Sequence, residues 1–185
     1  MLSGAMHAFR RHGYASASIK DLERATGLKA GSIYNSYQDK AGLFGAAFAH
    51  YNRAVLGRRI TEHAPAEAGL PGLRELFRSL LHEPDGESFG CLITNSAVEH
   101  GGNSAPPPGV SEGLRTLAAL FADRLDAAGH RGQLRADVQP GPAALGLLAL
   151  YQGVLVLVRA GWGPGELDSL IDDAFDRLEE ADHDR

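Results

Sequence analysis

The sequence contains one cysteine and one tryptophan in 185 residues. A single cysteine excludes an internal disulfide framework and suits a reducing compartment. The eight histidines include no pair at i, i+4 spacing and none close to Cys91, so we expect neither a metal site nor a cofactor. Phosphate-binding glycine loops and strand-borne nucleophile motifs are also missing, which argues against an enzyme.

Long hydrophobic runs are scarce. The longest, residues 145–158, is shorter than a membrane span and contains Gln152. The first residues form an amphipathic pattern with several basic side chains, unlike the continuous apolar core of a signal peptide. These features predict a cytoplasmic protein with no membrane partner.

Acidic residues are few at the start of the chain and abundant afterwards. Residues 1–60 carry nine lysines and arginines against three acidic residues, a net charge of +6, whereas the remainder carries −11. The overall charge of −5 hides this asymmetry. A basic first third with an acidic remainder is typical of a protein that meets phosphate with one end only.

Residues 18–40 show the pattern of a helix, a tight turn and a second short helix. Apolar residues at helical spacing mark the inner side of the first helix, Ser18 is a good N-cap, and Gly27 ends the helix. A short helix with small hydrogen-bonding side chains on its outer face suits base edges in a major groove. The outer face of the second helix carries Ser32, Asn35 and Ser36.

This stretch resembles the DNA-binding domain of the TetR family of bacterial repressors. The shared features are Gly13-Tyr14 at the end of the first helix, Gly27-Leu28 in the turn, Gly31-Ser32-Ile33-Tyr34 in the third helix, and Lys40 with Leu43-Phe44 in the fourth. The resemblance implies an all-α fold, with a three-helix helix-turn-helix domain over residues 1–45 and a helical effector-binding and dimerisation domain over residues 46–185. It also implies a ligand-responsive repressor that binds a palindromic operator as a homodimer.

The resemblance assigns roles to residues around the turn. Tyr34 and Lys40 match positions that commonly hold phosphates, and Ser32 and Asn35 match positions near base edges. Ser18 can offer its hydroxyl or the helix N-terminus to a phosphate. Lys29, at the start of the helix that carries Ser32 and Asn35, adds a point charge. The predicted DNA-binding set is Ser18, Lys29, Ser32, Tyr34, Asn35 and Lys40; the alternative is that these are ordinary surface residues.

The sequence departs from the family pattern in three places. Glu23 stands where the family usually has alanine, so we expect its carboxylate to bend out to solvent. Ala30 stands where a basic residue is frequent. The first helix begins at Met1 without the usual basic arm, which favours a start codon upstream over a loss of those phosphate contacts. Tyr37, at a position that is usually an apolar aromatic, is expected in the core.

The remaining sequence predicts further helices, the first running from about Lys40 past Arg59. The last two are apolar over much of their circumference, so one chain does not obviously cover them. We expect them to form a four-helix bundle with a second copy, with Leu155 and Phe175 at the seam. An internal hairpin is the alternative. The other predicted segments are helices over residues 70–82, 89–101 and 110–128, and a proline-rich connector over residues 101–109.

Four residues are predicted to bind or sense an unknown small-molecule effector: Cys91, Asn95, Phe121 and Tyr151. Cys91 is expected just inside a helix N-terminus, which favours the thiolate; alternatively it is a small buried hydrophobe. Asn95 orients a ligand or satisfies a neighbouring backbone group. Two other functions stay open, a small-molecule-binding helical module with a degenerate DNA-binding domain, and more remotely a thiol enzyme.

Overall fold

The computed structural model describes residues 1–82, 90–100 and 107–179. Within these ranges β structure is limited to one antiparallel bridge between Leu134 and Glu179, so the all-α prediction is confirmed. The helices are α1 Leu2–Ser16, α2 Ile19–Thr26, α3 Ala30–Tyr37, α4 Lys40–His50, α5 Gly57–His63, α6 Gly69–Arg78, α7 Leu92–Glu99, α8 Pro108–His130, α9 Pro140–Arg159 and α10 Pro164–Asp176.

The predicted proline connector lies outside the described residues as far as residue 106. Pro108 already begins α8, because the first turn of a helix tolerates proline. The chain forms two compact units, the first from the described residues of Met1–Arg58 and Phe89–Leu114, the second from those of Arg59–Ser88 and Arg115–Arg185. The functional division between residues 45 and 46 stays a prediction.

Local signals set the helices of the first unit. Ser18 caps α2, and Gly27 ends it with a left-handed φ of 72°. α1 bends at Gly13, whose φ of 77° and ψ of 170° suit glycine alone. A Cβ added at Gly4 would lie 1.8 Å from the carbonyl oxygen of Ala25, so α1 and α2 cross where no side chain fits.

An aromatic core holds these helices together. The rings of Phe9 in α1 and Phe44 in α4 meet edge to face with centroids 4.8 Å apart, and Phe44 meets Phe48 in the same way at 5.2 Å. Leu22 and Ile33 are fully buried and attach α2 and α3 to this core. An eight-residue helix such as α3 is not stable alone, so it owes its position to this packing.

Helical backbone continues from Lys40 to His63, which confirms the predicted long helix. Its middle, Tyr51–Leu56, is π-helical, and the N–H of Gly57 donates to the carbonyl of Asn52, five residues earlier. Tyr51, the first residue of this segment, is buried.

The second unit is built around four aromatic rings. Phe77 of α6 lies 5.6 Å from Phe121 of α8, 5.3 Å from Tyr151 of α9 and 5.2 Å from Phe175 of α10 between ring centroids. An ion-pair network also joins α6 to α10. It links Arg74 to Asp172, Asp176 and Glu179, and Arg78 to Glu75, Asp168 and Asp172.

The prediction that Leu155 and Phe175 lie at the seam between two copies is wrong. Leu155 and Phe175 are buried within the chain, because each faces the core of the second unit. Other apolar side chains of α9 and α10 lie exposed, and only 28% of the most apolar window of α9 is buried. By length and composition α9 could cross a membrane, alone among helices of the described ranges. In α9, α10 and the turn between them, the exposed large apolar side chains are Leu145, Val156, Trp162 and Leu170.

Candidate nucleic-acid interface

α3 presents a polar face to solvent. Ser32, Asn35 and Ser36 are exposed, as predicted, and Tyr34 is 46% exposed despite its aromatic ring. Lys29 is exposed at the N-cap position of the same helix. Four of the six predicted DNA-binding residues therefore lie on or at the end of one short helix, within reach of one groove.

The turn before α3 is tied by side chains. Thr26 Oγ1 donates to the carbonyl oxygen of Leu22 at 2.6 Å and accepts from the N–H of Leu28 at 3.2 Å. Glu23 does not bend to solvent as expected. Its Oε1 accepts a hydrogen bond of 2.7 Å from the N–H of Ala30, because this first N–H of α3 has no partner inside its own helix.

Ser18 is exposed, but its hydrogen-bonding groups are engaged within α2. Its N–H and Oγ both donate to Asp21 Oδ2, at 3.1 and 2.5 Å, and its Oγ accepts from the N–H of Asp21 at 3.2 Å. The side-chain hydrogen bond from Ser18, followed by the backbone one, holds the pKa of Asp21 below its ordinary value. The structure thus gives Ser18 the role of a capping residue.

Lys40 is half-buried and attached to the end of α1. Its Nζ donates to the carbonyl oxygen of Ala15 at 3.2 Å and lies 4.8 Å from the centre of the Tyr14 ring. Tyr37, expected in the core, is only half-buried, and its hydroxyl lies 3.5 Å from the sulfur of Met1. The aromatic position at the end of α3 therefore faces the start of the chain.

A strained turn follows α3. Gln38 has a φ of 69° and a ψ of −50°, the only positive φ among non-glycine residues that the structure describes. The N–H of Asp39 donates to the carbonyl oxygen of Tyr37 at 2.8 Å, which closes a three-residue γ-turn. Asp39 then caps α4 through a 2.8 Å hydrogen bond from the N–H of Gly42.

Not every base of the first unit is available to phosphate. Arg10 is buried, and its Nε donates to the carbonyl oxygen of Gly90 at 2.9 Å. An open cleft of about 340 Å³ between α1 and α2, by contrast, is lined by exposed bases. Its titratable lining residues are His7, Arg11, His12, Asp21 and Arg24.

The predicted sensor residues fall into both units. Cys91 occupies the N-cap position before α7 instead of lying inside it, and its side chain makes no cap bond. It is 5% exposed, and its sulfur accepts a 3.1 Å hydrogen bond from the hydroxyl of Tyr51. Asn95 donates to the carbonyl oxygen of Arg10 at 3.2 Å, the backbone alternative for that residue. Phe121 and Tyr151 pack together in the aromatic core of the second unit, with ring centroids 5.9 Å apart. The sensor role stays a prediction.

One residue of α7 that sequence analysis missed holds the end of α1. The bend at Gly13 leaves two backbone N–H groups without helical partners, and Glu99 accepts from both, Tyr14 at 2.8 Å and Ala15 at 2.6 Å. The only sequence signal was Gly13 itself, because the partner lies 84 residues from Ala15. In the described ranges no three acidic, histidine or cysteine side chains group so as to hold a metal ion.

The first 47 residues match the family model described as bacterial regulatory proteins, tetR family. Over 174 residues the chain is 30% identical to the HTH-type transcriptional repressor Rv1474c of Mycobacterium tuberculosis, covering 93% of this chain and 87% of that protein. It is 26% identical to the HTH-type transcriptional repressor AcnR of Corynebacterium diphtheriae, covering 93% and 86%.

Two solved structures are similar in fold. One is the TetR family regulator CifR, as a cysteine mutant complexed with 26-bp operator DNA, with a TM-score of 0.79, 24% identity and coverage of 95% of this chain and 93% of that one. The other is a TetR regulator from Chloroflexus aurantiacus, with a TM-score of 0.82, 24% identity and coverage of 97% and 94%.

Proposed function

Because this chain belongs to the TetR family of bacterial regulatory proteins, we propose that it is a cytoplasmic repressor that binds a palindromic operator as a homodimer and leaves it when an effector binds. Relatives named as repressors match it over more than nine-tenths of its length. The observation that carries the proposal is the exposed polar face of α3, which is held on an apolar core by Ile33. The chain is a regulator and not an enzyme.

The DNA contacts divide into two kinds. Asn35 and Ser32 read base edges, because their short polar side chains point away from the buried side of α3. Tyr34 and Lys29 contact phosphates from the same helix, and their role is to position it. Lys40 and Ser18 act mainly through the structure they hold, Lys40 at the end of α1 and Ser18 at the start of α2.

The homodimer forms through the outer faces of α9 and α10. A Cβ added at Gly146 or Gly153 meets no other atom of the described chain within 4 Å, so α9 leaves space for a closely packed helix. Leu145 and Val156 flank these glycines and are exposed. A second copy would bury these exposed apolar side chains, and two-fold symmetry would then space the two α3 helices by about 34 Å or a multiple of it.

The effector signal reaches DNA through α7. Asn95 of this helix donates to the carbonyl oxygen of Arg10, and Glu99 accepts from the end of α1. Gly90, two residues before α7, accepts from the side chain of Arg10. An effector that shifts α7 therefore shifts α1. The effector can change the free energy of operator binding by no more than the difference between its own binding free energies for the shifted and unshifted states. The effector is a small molecule; Cys91 and Asn95 in the first unit, and separately Phe121 and Tyr151 in the second, stay predictions for the residues that sense it.

DNA binding is tested with duplexes selected from a random library by the unmodified protein. Asn35→Ala should lower affinity for a selected duplex by about tenfold or more, which corresponds to the loss of a bidentate base contact. Affinity for a scrambled duplex of the same composition should stay unchanged. Lys29→Met is the matched comparison, since loss of a phosphate contact weakens both duplexes equally and reduces the salt slope by about one. Equal losses for Asn35→Ala on both duplexes would contradict base reading.

A further inference from the structure

Glu23 acts on both sides of the turn between α2 and α3. Its backbone carbonyl accepts a 2.9 Å hydrogen bond from the N–H of Gly27, which closes α2. Its side-chain Oε1 accepts the 2.7 Å bond from the N–H of Ala30, which begins α3. Lys29, the N-cap residue of α3, makes no side-chain cap bond. The cap of α3 is therefore supplied by the preceding helix.

The position of this carboxylate matters because of what a helix N-terminus attracts. Free N–H groups and the helix dipole make such an end a binding place for phosphate. In a helix-turn-helix protein the N-terminal residues of the second helix are the ones that reach base edges. A free N-terminus there would hold any DNA phosphate that it met, whatever the sequence. Glu23 is partly buried and occupies this end before DNA arrives.

We propose that Glu23 is a specificity-determining positioning residue of this protein. It fixes the N-terminus of α3 and keeps DNA phosphates from that end, so that the helix is held on DNA by base contacts such as that of Asn35. The role rests on the proposed operator reading. It assigns discrimination against non-operator DNA to a residue that touches no base.

Two substitutions separate the cap from the charge. Glu23→Gln removes the charge but keeps an oxygen that accepts from Ala30, whereas Glu23→Ala removes both. The Ala variant should bind a scrambled duplex more tightly, with a steeper salt dependence, because a phosphate can now occupy the end of α3. The ratio of affinities for a selected and a scrambled duplex should fall about fivefold, the equivalent of one helix cap. The Gln variant should keep this ratio within about twofold of the unmodified protein.

Asp39→Ala is the matched control. It removes a carboxylate that caps α4 through Gly42, so it costs the same kind of bond at a helix that does not read DNA. This variant should lose stability and keep the ratio. Amide hydrogen exchange of the full-length protein without DNA provides a second measurement, in which the N–H of Ala30 should exchange faster in Glu23→Ala and stay protected in Glu23→Gln.

The outcomes are distinct. An unchanged ratio in Glu23→Ala, or an equal fall in Asp39→Ala, overturns the role of Glu23 alone. Unchanged protection of Ala30 in Glu23→Ala overturns it as well, because the cap would then not exist. A protein that selects no sequence from the library overturns operator reading and this role together.

Discussion

The carboxylate of Glu99 accepts two backbone hydrogen bonds: Oε1 accepts from the N–H of Ala15 at 2.6 Å, and Oε2 accepts from the N–H of Tyr14 at 2.8 Å. Both donors follow the bend at Gly13, where the helix cannot satisfy them itself. A Cβ at Gly13 would lie 3.0 Å from Glu99 Oε2, so the same glycine that frees the two donors also leaves space for the acceptor. The end of α1 thus depends on α7.

We therefore expect Glu99→Ala to lower the free energy of unfolding by about 1–2 kcal/mol, since two charge-assisted hydrogen bonds at an exposed site are lost. Operator affinity should fall and respond less to effector, because α7 no longer holds α1. Chemical denaturation and operator titration measure the two effects. Glu99→Gln can accept only one of the bonds and should be intermediate. Full stability and affinity in Glu99→Ala would show that α7 is not coupled to α1 at this point.

The turn after α3 gives a stabilising prediction. Gln38 adopts a φ of 69° that glycine adopts without steric cost, so Gln38→Gly should raise the free energy of unfolding by about 1 kcal/mol. Gln38→Ala keeps the steric conflict and should change stability by less than about 0.5 kcal/mol. Urea unfolding of the three proteins is sufficient. A Gly variant that is less stable than the Ala variant would contradict strain at this residue.

The dimer proposal is tested at exposed residues, not at the buried ones that the sequence suggested. Val156 is 49% and Leu145 68% exposed, so Val156→Arg and Leu145→Glu should leave the chain folded while converting dimers to monomers. Val98→Glu makes a similar change at a 74% exposed residue of α7 and should keep the dimer. Light scattering with circular dichroism gives mass and helicity together. Dimers of unchanged mass in both α9 variants would place the seam elsewhere.

The cap of α2 predicts a dependence on acid pH. In the folded chain the hydrogen bonds from Ser18 lower the pKa of Asp21 below its ordinary value of 3.8. The ionised Asp21 therefore stabilises the fold at pH values above 3.8. The contribution is lost as pH falls through the folded pKa. Ser18→Ala should lower the melting temperature by a few degrees at pH 7. The difference from the unmodified protein should shrink by pH 3, and a difference that grows on acidification would contradict this origin.

Burial of Cys91 predicts slow chemistry in the native state. A maleimide should label it far more slowly in the folded protein than in urea, at a rate that follows local opening. Tyr51→Phe removes the hydroxyl that donates to the sulfur and should speed labelling only if it loosens the start of α7. Labelling of the native protein at the rate of a free thiol, with release of operator, would instead support a covalent sensor.

Sequence reasoning located what depends on neighbours in the chain. The turn at Gly27, the outer face of α3 and the helix from Lys40 follow from spacing and from glycine's backbone freedom. Sequence reasoning failed where a residue's contact partner is distant in the chain. It also failed where an apolar residue could be buried either within its own chain or against a second copy. Leu155 lies on a helix that is apolar on several sides, and periodicity does not say which side the chain itself covers.

Helix-end hydrogen bonds to residues distant in the chain left the weakest signal in the sequence. Nothing near Glu99 in the sequence indicates that it closes the end of α1, and a glutamate at position 23 is as compatible with solvent as with the N–H of Ala30. Both carboxylates satisfy donors that only the folded chain brings near. The same holds for Arg10, which counts as a base in the sequence and is a buried structural link in the fold.

The π-helical segment Tyr51–Leu56 changes how this chain must be compared with others. A turn closed by bonds over five residues holds about one residue more than an α-helical turn, so the residues on either side are about 100° out of phase with a single helical wheel. An ungapped alignment of Lys40–His63 with an unbroken α-helix of another protein therefore pairs residues that lie on different faces of the two helices. Deleting one residue here and inserting one elsewhere in the helix would keep its length while exchanging which side chains face inward.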